Sequence, residues 1–264
     1  MRLPWKIWAF LKRDVAIDVS YKLSFAFEAA HVVITVAAFY FLSQLLGATR
    51  PDGYAAFPFM LVGMTVNAYM TTCLVCFSQT IRGSQLAGTL NAILATPTSP
   101  SVFLVCSSAY PFIRASMDAG MYVAAGALFG VSMSHMNAAA AAVVLVLSLL
   151  AFSSVGILSA SFTLVFKRGD PLLWLFGSGS WLLGGVLYPV EVLPPVLRHA
   201  AAFLPITHAV QGMREAVLGG SSMAAISGEL LRLALFALIG VPLSLLVFTV
   251  GVAHARRAGT LDHR

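Results

Sequence analysis

The sequence predicts an all-α membrane protein that crosses the bilayer six times, and three observations carry that expectation. Hydrophobic residues make up 59% of the 264 and charged residues only 10%, against about 45–50% and about 25% in a soluble domain. Mean hydropathy is +0.89, which implies more apolar surface than a water-soluble globule of this size could cover. Six continuous apolar stretches, near residues 25–46, 57–81, 102–129, 138–166, 172–187 and 230–253, approach or exceed the ~20 residues a helix needs to cross about 30 Å of hydrocarbon. Barrel strands would run to about 10 residues of alternating character, and these stretches do not alternate. Disorder and coiled coil are excluded by the same composition, and three cysteines make no disulfide scaffold. No cleavable signal peptide is expected, because the first apolar run starts late and is too long for an h-region.

Basic residues set the expected orientation. With both termini cytoplasmic, Arg2, Lys6, Lys12, Arg13, Lys22, Arg82, Lys167, Arg168, Arg256, Arg257 and Arg264 fall inside, and only Arg50, Arg198, Arg214 and Arg232 fall outside. That asymmetry follows the positive-inside rule. The net charge of +6 then reflects topology and an anionic inner leaflet. A nucleic-acid partner is a poor reading, since the charges are spread over short loops.

Before the first span, Trp5, Trp8, Leu11, Val15 and Val19 recur at helical spacing. Lys6, Arg13 and Asp14 point elsewhere, while Phe10 and Ile17 spoil a clean polar side. Residues 5–22 therefore read as an amphipathic helix lying in the interface. Residues 47–54 form a short turn broken by Pro51 and Gly53. In residues 82–100, Leu86, Leu90, Ile93 and Leu94 suggest one helical stripe, ended by Thr96-Pro97 and Ser99-Pro100. This proline-stopped surface helix has the shape of a docking element; the plain alternative is a loop resting on the membrane.

The other informative stretch is 189–219. Pro195 suits the first turn of a helix bearing Val196, Leu197, Ala200, Ala201 and Leu204, which Pro205 breaks. Thr207 can cap a second helix bearing Val210, Met213 and Val217, closed by Gly219-Gly220. Two short half-apolar helices after a short fifth span read as a re-entrant hairpin on the outer face.

The order of these pieces resembles the ABC-2 type permeases, the membrane subunits of bacterial ABC exporters. It runs from an interfacial helix through two spans to Gly88-Thr89-Leu90 and Leu94-Ala95-Thr96-Pro97. After two more spans come Gly184-Gly185, Tyr188-Pro189, Leu193-Pro194, Leu204-Pro205, Thr207 and Arg214, and then a last span. The wording is similar to the multidrug and lipo-oligosaccharide exporters. The resemblance implies a single transmembrane domain over 1–264 in the bacterial cytoplasmic membrane. It would export a hydrophobic or amphipathic drug, lipid or lipid-linked saccharide.

A role for each matching segment is implied as well. Gln85, Gly88, Thr89, Leu90, Asn91, Leu94, Thr96 and Pro97 would form the coupling element seated in an ATPase subunit, with the N-terminal helix pressing on it. Pro189, Pro194, Pro205, Thr207 and Arg214 would shut the outer mouth. Spans one, two and five would line the path where two permease subunits meet, as a homodimer or a heterodimer. Where such permeases commonly carry acidic residues, this chain has the neutral Gln85 and Asn91. It also lacks a Gly-x-x-x-x-Gly-Lys-Ser/Thr phosphate cradle, so ATP and magnesium belong to the partner ATPase, and no enzyme or cofactor site is expected here.

Several residues have competing readings. Arg114 and Asp118, four apart in span three, can pair with each other or contact substrate. Glu28 and His31, three apart in span one, fit snorkelling or contact with the N-terminal helix better than a proton relay. A relay would support the alternative class, an ion- or proton-coupled secondary transporter. Cys73, Cys76 and Cys106 read as buried hydrophobes, and His199 with His208 lacks a third metal ligand. Tyr69, Phe77, Trp174, Trp181 and Tyr188 form a candidate substrate path, with Trp174, Trp181 and Tyr188 spaced at sevens on one expected face. Gly126-x-x-x-Gly130 and Ser180-x-x-x-Gly184 are small-residue steps that let helices approach closely.

Overall fold

Prolines and apolar periodicity divide the chain into helices, beginning with α1 (Leu3–Ser20) and α2 (Lys22–Leu45). The computed structural model describes residues 3–20, 22–45, 53–90, 93, 96, 99–132, 134–166 and 170–257. Next come α3 (Ala56–Leu86), α4 (Pro100–Leu128) and α5 (Ala138–Phe166). They are followed by α6 (Pro171–Leu183), α7 (Pro195–Ala202), α8 (Pro205–Val217) and α9 (Ser227–Arg257). Four described helices are long and apolar enough to cross a membrane: Phe25–Leu45, Ala56–Leu86, Ala138–Leu164 and Ser227–Arg257. The chain is thus an all-helical, polytopic membrane protein.

The two other expected crossings differ from these four. α4 has the length, 29 residues, but carries Pro111, Arg114 and Asp118. α6 has only 13 residues, about 20 Å at helical rise, so the expected span over 172–187 stops early. Its end is set at Gly184, and Gly185 follows with φ +68, a left-handed conformation that suits a residue without Cβ. Tyr188 therefore lies beyond the helix and does not continue the face of Trp174 and Trp181. The sevenfold spacing is geometrically meaningless once the helix has ended.

α3 is the central column. It packs against α4, α5 and α8, with α2 and α6 at its flanks, and α9 lies along the far side of α5. Phe59, Leu61, Met70, Leu74 and Ile81 on α3 are fully buried. By contrast α2 and α9 turn Phe27, Ile34, Phe41, Leu238, Ile239 and Leu246 outward, as lipid-facing helices do. Small residues permit the close approaches. A Cβ on Gly126 would stand 2.1 Å from Leu61, and one on Gly156 would stand 2.8 Å from the Cys73 carbonyl oxygen. Gly130, the other half of the first small-residue step, sits past the end of α4 with φ +87, where an added Cβ would meet nothing within 4 Å among the described residues, so it serves the turn and not the packing.

α1 turns Trp5, Trp8 and Val15 outward. Phe10, the residue that seemed to spoil the amphipathic pattern, meets Phe103 of α4 edge-on at 6.1 Å. This off-stripe side chain helps to fasten α1 to α4.

Candidate functional site

Three regions carry the polar and proline-bounded residues singled out above. The first lies around α7 and α8. Pro205 occupies the first turn of α8 instead of only ending α7, because a missing N–H costs nothing there. Thr207 is consequently inside α8 and not at its cap; its hydroxyl donates across the junction to the Ala201 carbonyl at 2.8 Å. Pro194 precedes α7, and Pro189 starts the 3-10 turn Val190–Val192. His208, buried, has Nδ1 2.6 Å from Glu229 Oε2 and Nε2 2.9 Å from the Ala202 carbonyl. In its doubly protonated form the ring donates to both, joining α8 to the start of α9. Arg232 Nη1 donates to the other Glu229 oxygen at 2.8 Å.

Arg214 closes this region. Only 7% exposed, its guanidinium donates to the Phe59 carbonyl from Nε and Nη2 at 3.2 and 3.1 Å, and to the Val186 carbonyl at 2.8 Å. It also sits 3.3 Å from the centre of the Phe59 ring. One side chain of α8 thereby ties α3 to the segment after α6. Gly63 makes room for it: a Cβ there would be 2.1 Å from the Val186 oxygen and 2.8 Å from Arg214 Nη2. A cavity of about 300 Å³ adjoins, lined among others by Tyr54, Pro189, Glu191, Thr207, Arg214 and Glu215.

The second region follows α3. The expected stripe of Leu86 with Leu90 is broken, because α3 runs on to Leu86 and the chain then turns through Gly88 at φ +65. Leu86 is exposed, whereas Leu90 is 1% exposed and joins Ile81, Phe103, Leu104 and Phe248 in one cluster, with Phe10 packed against it. The Ile93 amide bonds to the Thr89 carbonyl at 3.0 Å, and the Thr96 hydroxyl to the Ile93 carbonyl at 2.7 Å. Asn91, Leu94 and Pro97 lie outside the described residues. Gln85 is buried, and neither end of its amide has a hydrogen-bond partner among the described residues.

The third region lies between α2, α3, α4 and α6. Arg114 on α4 hydrogen-bonds Glu28 on α2, and its Nε stands 3.6 Å from Asp118 Oδ1. Glu28 thus reaches α4, a contact invisible in local spacing because 86 residues separate the partners. A cavity of about 540 Å³ lies between α2, α3, α4 and α6, lined by Glu28, His31, Asn67, Tyr69, Asp118 and Trp181 among others. Of the candidate path residues, Tyr69 and Trp181 face this space. Phe77 does not: it is 2% exposed and packs on Phe112 and Gly156. Trp174 is 72% exposed on the outer side of α6, and Tyr188 donates its hydroxyl back to the Leu182 carbonyl.

One polar residue was overlooked by reasoning from sequence. Asp170 caps α6, accepting from the Leu173 amide at 3.0 Å, while its other oxygen takes hydroxyls from Ser78 of α3, at 2.7 Å, and from Ser159 of α5. Asp170-Pro171 was a readable helix-start signal; the two serines were not readable. Asp170→Ala removes the cap and two charge-assisted bonds, so an apparent loss of about 2–4 kcal/mol is expected. Thermal unfolding of the purified chain in detergent measures it, and a melting temperature equal to the parent's would contradict the anchoring role. Cys73, Cys76 and Cys106 are buried.

The sequence profile of the ABC-2 type transporter family matches residues 6–218, most of the chain. This chain belongs to the ABC-2 type transporter family. As a member it is the membrane subunit of an ABC transporter, and the family implies an ABC ATPase as its partner. Among similar proteins is the inner membrane transport permease YadH of Escherichia coli K12, 23% identical over 190 residues that cover 71% of this chain and 74% of YadH. The YadH proteins of Escherichia coli O157:H7 and Shigella flexneri match to the same extent. Together with the apolar helices, this likeness makes the ABC-2 protein a multi-pass protein of the inner membrane. The family match takes in most of α1, the turn after α3 and the Arg214 lock.

Proposed function

We propose that this ABC-2 subunit exports a hydrophobic or amphipathic substrate, as a dimer of permeases powered by two ATPase subunits that bind ATP and magnesium. Both termini then lie in the cytoplasm, the chain makes six crossings, and α7 with α8 forms a re-entrant outer gate held by Arg214. Pro189, Pro194, Pro205 and Thr207 shape that gate. Tyr69 and Trp181 contribute to the path. The segment of Gln85, Gly88, Thr89, Leu90, Asn91, Leu94, Thr96 and Pro97 couples to the ATPase, with Gln85 and Leu90 buried behind the contact as its anchors.

The burial of Leu90 carries this reading. A turn at the membrane surface whose leucine is packed with residues of α3, α4 and α9, and with Phe10 of α1 beside them, cannot be pushed without moving those helices. Packed interiors transmit displacement instead of absorbing it. ATP-driven closure of the ATPase pair then becomes reorientation of the spans. The engagement of Glu28 with Arg114 favours this over an ion-coupled carrier, which needs carboxylates open to exchange.

Leu90→Pro tests the coupling. In vesicles containing the permease and its ATPase, hydrolysis is expected to persist while ATP-dependent substrate movement falls about tenfold or more, a loss of at least ~1.4 kcal/mol in transmission. Membrane insertion of the variant is checked by protease accessibility of the loops. Export at the parent rate removes residues 82–97 from the coupling role.

A further inference from the structure

Where α4 and α5 flank α3, a cavity of about 300 Å³ opens between them. Its depth is formed by buried side chains, Leu61, Val62, Val66 and Tyr69 of α3 with Met213 and Val217 of α8 beside them. None of the described lining residues is charged. The hydroxyl groups are already engaged. Thr65 donates to the Leu61 carbonyl at 2.7 Å and Ser116 to the Phe112 carbonyl at 2.9 Å, while the Tyr69 hydroxyl is hydrogen-bonded to Ser116. The wall therefore keeps no proton for a ligand, and a polar group entering it would lose water without gaining a partner.

The rim consists of small, exposed residues, Ser116 and Gly120 on α4 and Ala138 and Ala142 on α5. Close helix packing does not account for Gly120. A Cβ there would meet nothing within 4 Å, whereas one on Gly126 would strike Leu61. Glycine weakens a helix interior, and nothing in the described packing offsets that at Gly120. The rim also has a defined setting. Ala138 and Ala142 lie in the first turns of Ala138–Leu164, a helix long and apolar enough to cross a membrane, so the opening faces the bilayer. An empty apolar recess forfeits the dispersion contacts of its lining, and water finds no polar partners inside it. Hydrocarbon fills it without either cost.

We propose that this cavity binds one acyl chain of a bilayer phospholipid, threaded between Gly120 and Ala142 onto Val66 and Tyr69. The lipid belongs to the leaflet on the α8 side, where its chain braces Met213, the neighbour of Arg214. The site goes beyond the exporter reading and needs only a bilayer against α4 and α5. The probe is a phosphatidylcholine with a diazirine near the end of one acyl chain, reconstituted with the full chain in nanodiscs without ATPase or cargo. After irradiation, the labelled residues are mapped by mass spectrometry.

Lipid that merely surrounds the protein labels outward side chains such as Ile34, Leu238 and Leu246. A bound chain is expected to label the buried Val62, Val66 and Tyr69 as well. Gly120→Leu puts a side chain into the open rim, and should cut the buried labelling about fivefold or more, because a close-packed entrance excludes the chain. Labelling of Leu238 and Leu246 should stay at the parent level. Should Gly120→Leu not fold, Ala142→Leu blocks the opposite rim, and the melting temperature of each variant identifies a folded sample. Labelling confined to outward residues, or parent-level labelling of Val62, Val66 and Tyr69 in a folded rim variant, overturns the proposal.

Discussion

Arg214→Ala is expected to lower stability by about 3 kcal/mol and to abolish transport. The guanidinium is the donor for two backbone carbonyls, Phe59 and Val186, from helices and loops far apart in sequence. Truncation leaves those buried acceptors without it, and a hydrogen bond to a charged group is worth about 1.5–3 kcal/mol where no water replaces it. Arg214→Lys should recover only part of the loss, because an ammonium cannot present the guanidinium's fork of donors. The melting temperature of the purified subunit and ATP-dependent transport by the complex are the two readouts. A parent-like melting temperature for Arg214→Ala would show that the bonds to Phe59 and Val186 hold nothing together.

Gly63→Ala should damage the same lock without touching its charge. The added methyl would stand 2.1 Å from the Val186 oxygen, a separation that backbone atoms cannot tolerate, so either α3 or the segment after α6 must move. Overpacking of a tight contact costs about 1–3 kcal/mol, and here the displaced group is also an acceptor for Arg214. The two changes share partners, so their effects should be strongly non-additive. The double variant is expected to be little worse than Arg214→Ala alone in thermal unfolding. Simple addition of the two losses would mean that Gly63 and Arg214 act at separate places.

Different layers of this molecule were legible to different degrees. The apolar stretches showed in composition alone, because a lipid solvent requires long uninterrupted runs of apolar helix. The Pro195 and Pro205 starts and the glycine-ended turns were local signals too, although Pro205 had to be read as opening α8 as well as closing α7. Thr207 was misplaced for a related reason. A hydroxyl near a helix start can serve as a cap or bond to a neighbouring element, and only the position of Ala201 distinguishes these.

Charged residues were harder. Spacing paired Arg114 with Asp118, four apart, but Arg114 also takes Glu28 across two helices, and Asp170 draws Ser78 and Ser159 from two others. Periodicity reports which side of one helix a residue occupies; it carries no information about which helix lies opposite. Phe77 illustrates the limit, since an aromatic at bilayer depth fits a path or a packed interface equally well until Gly156 is seen against it.

What the amino-acid order determined unaided was the solvent of the protein, the helical character of its crossings and the sites of its turns. These are short-range consequences of hydrophobicity and of backbone restriction at proline and glycine. What tertiary structure alone decided was the partner of each buried polar group and which aromatic residues border open space. Those depend on contacts between segments tens to more than a hundred residues apart, where the burial of one helix face against another selects among pairings that the chain leaves locally equivalent.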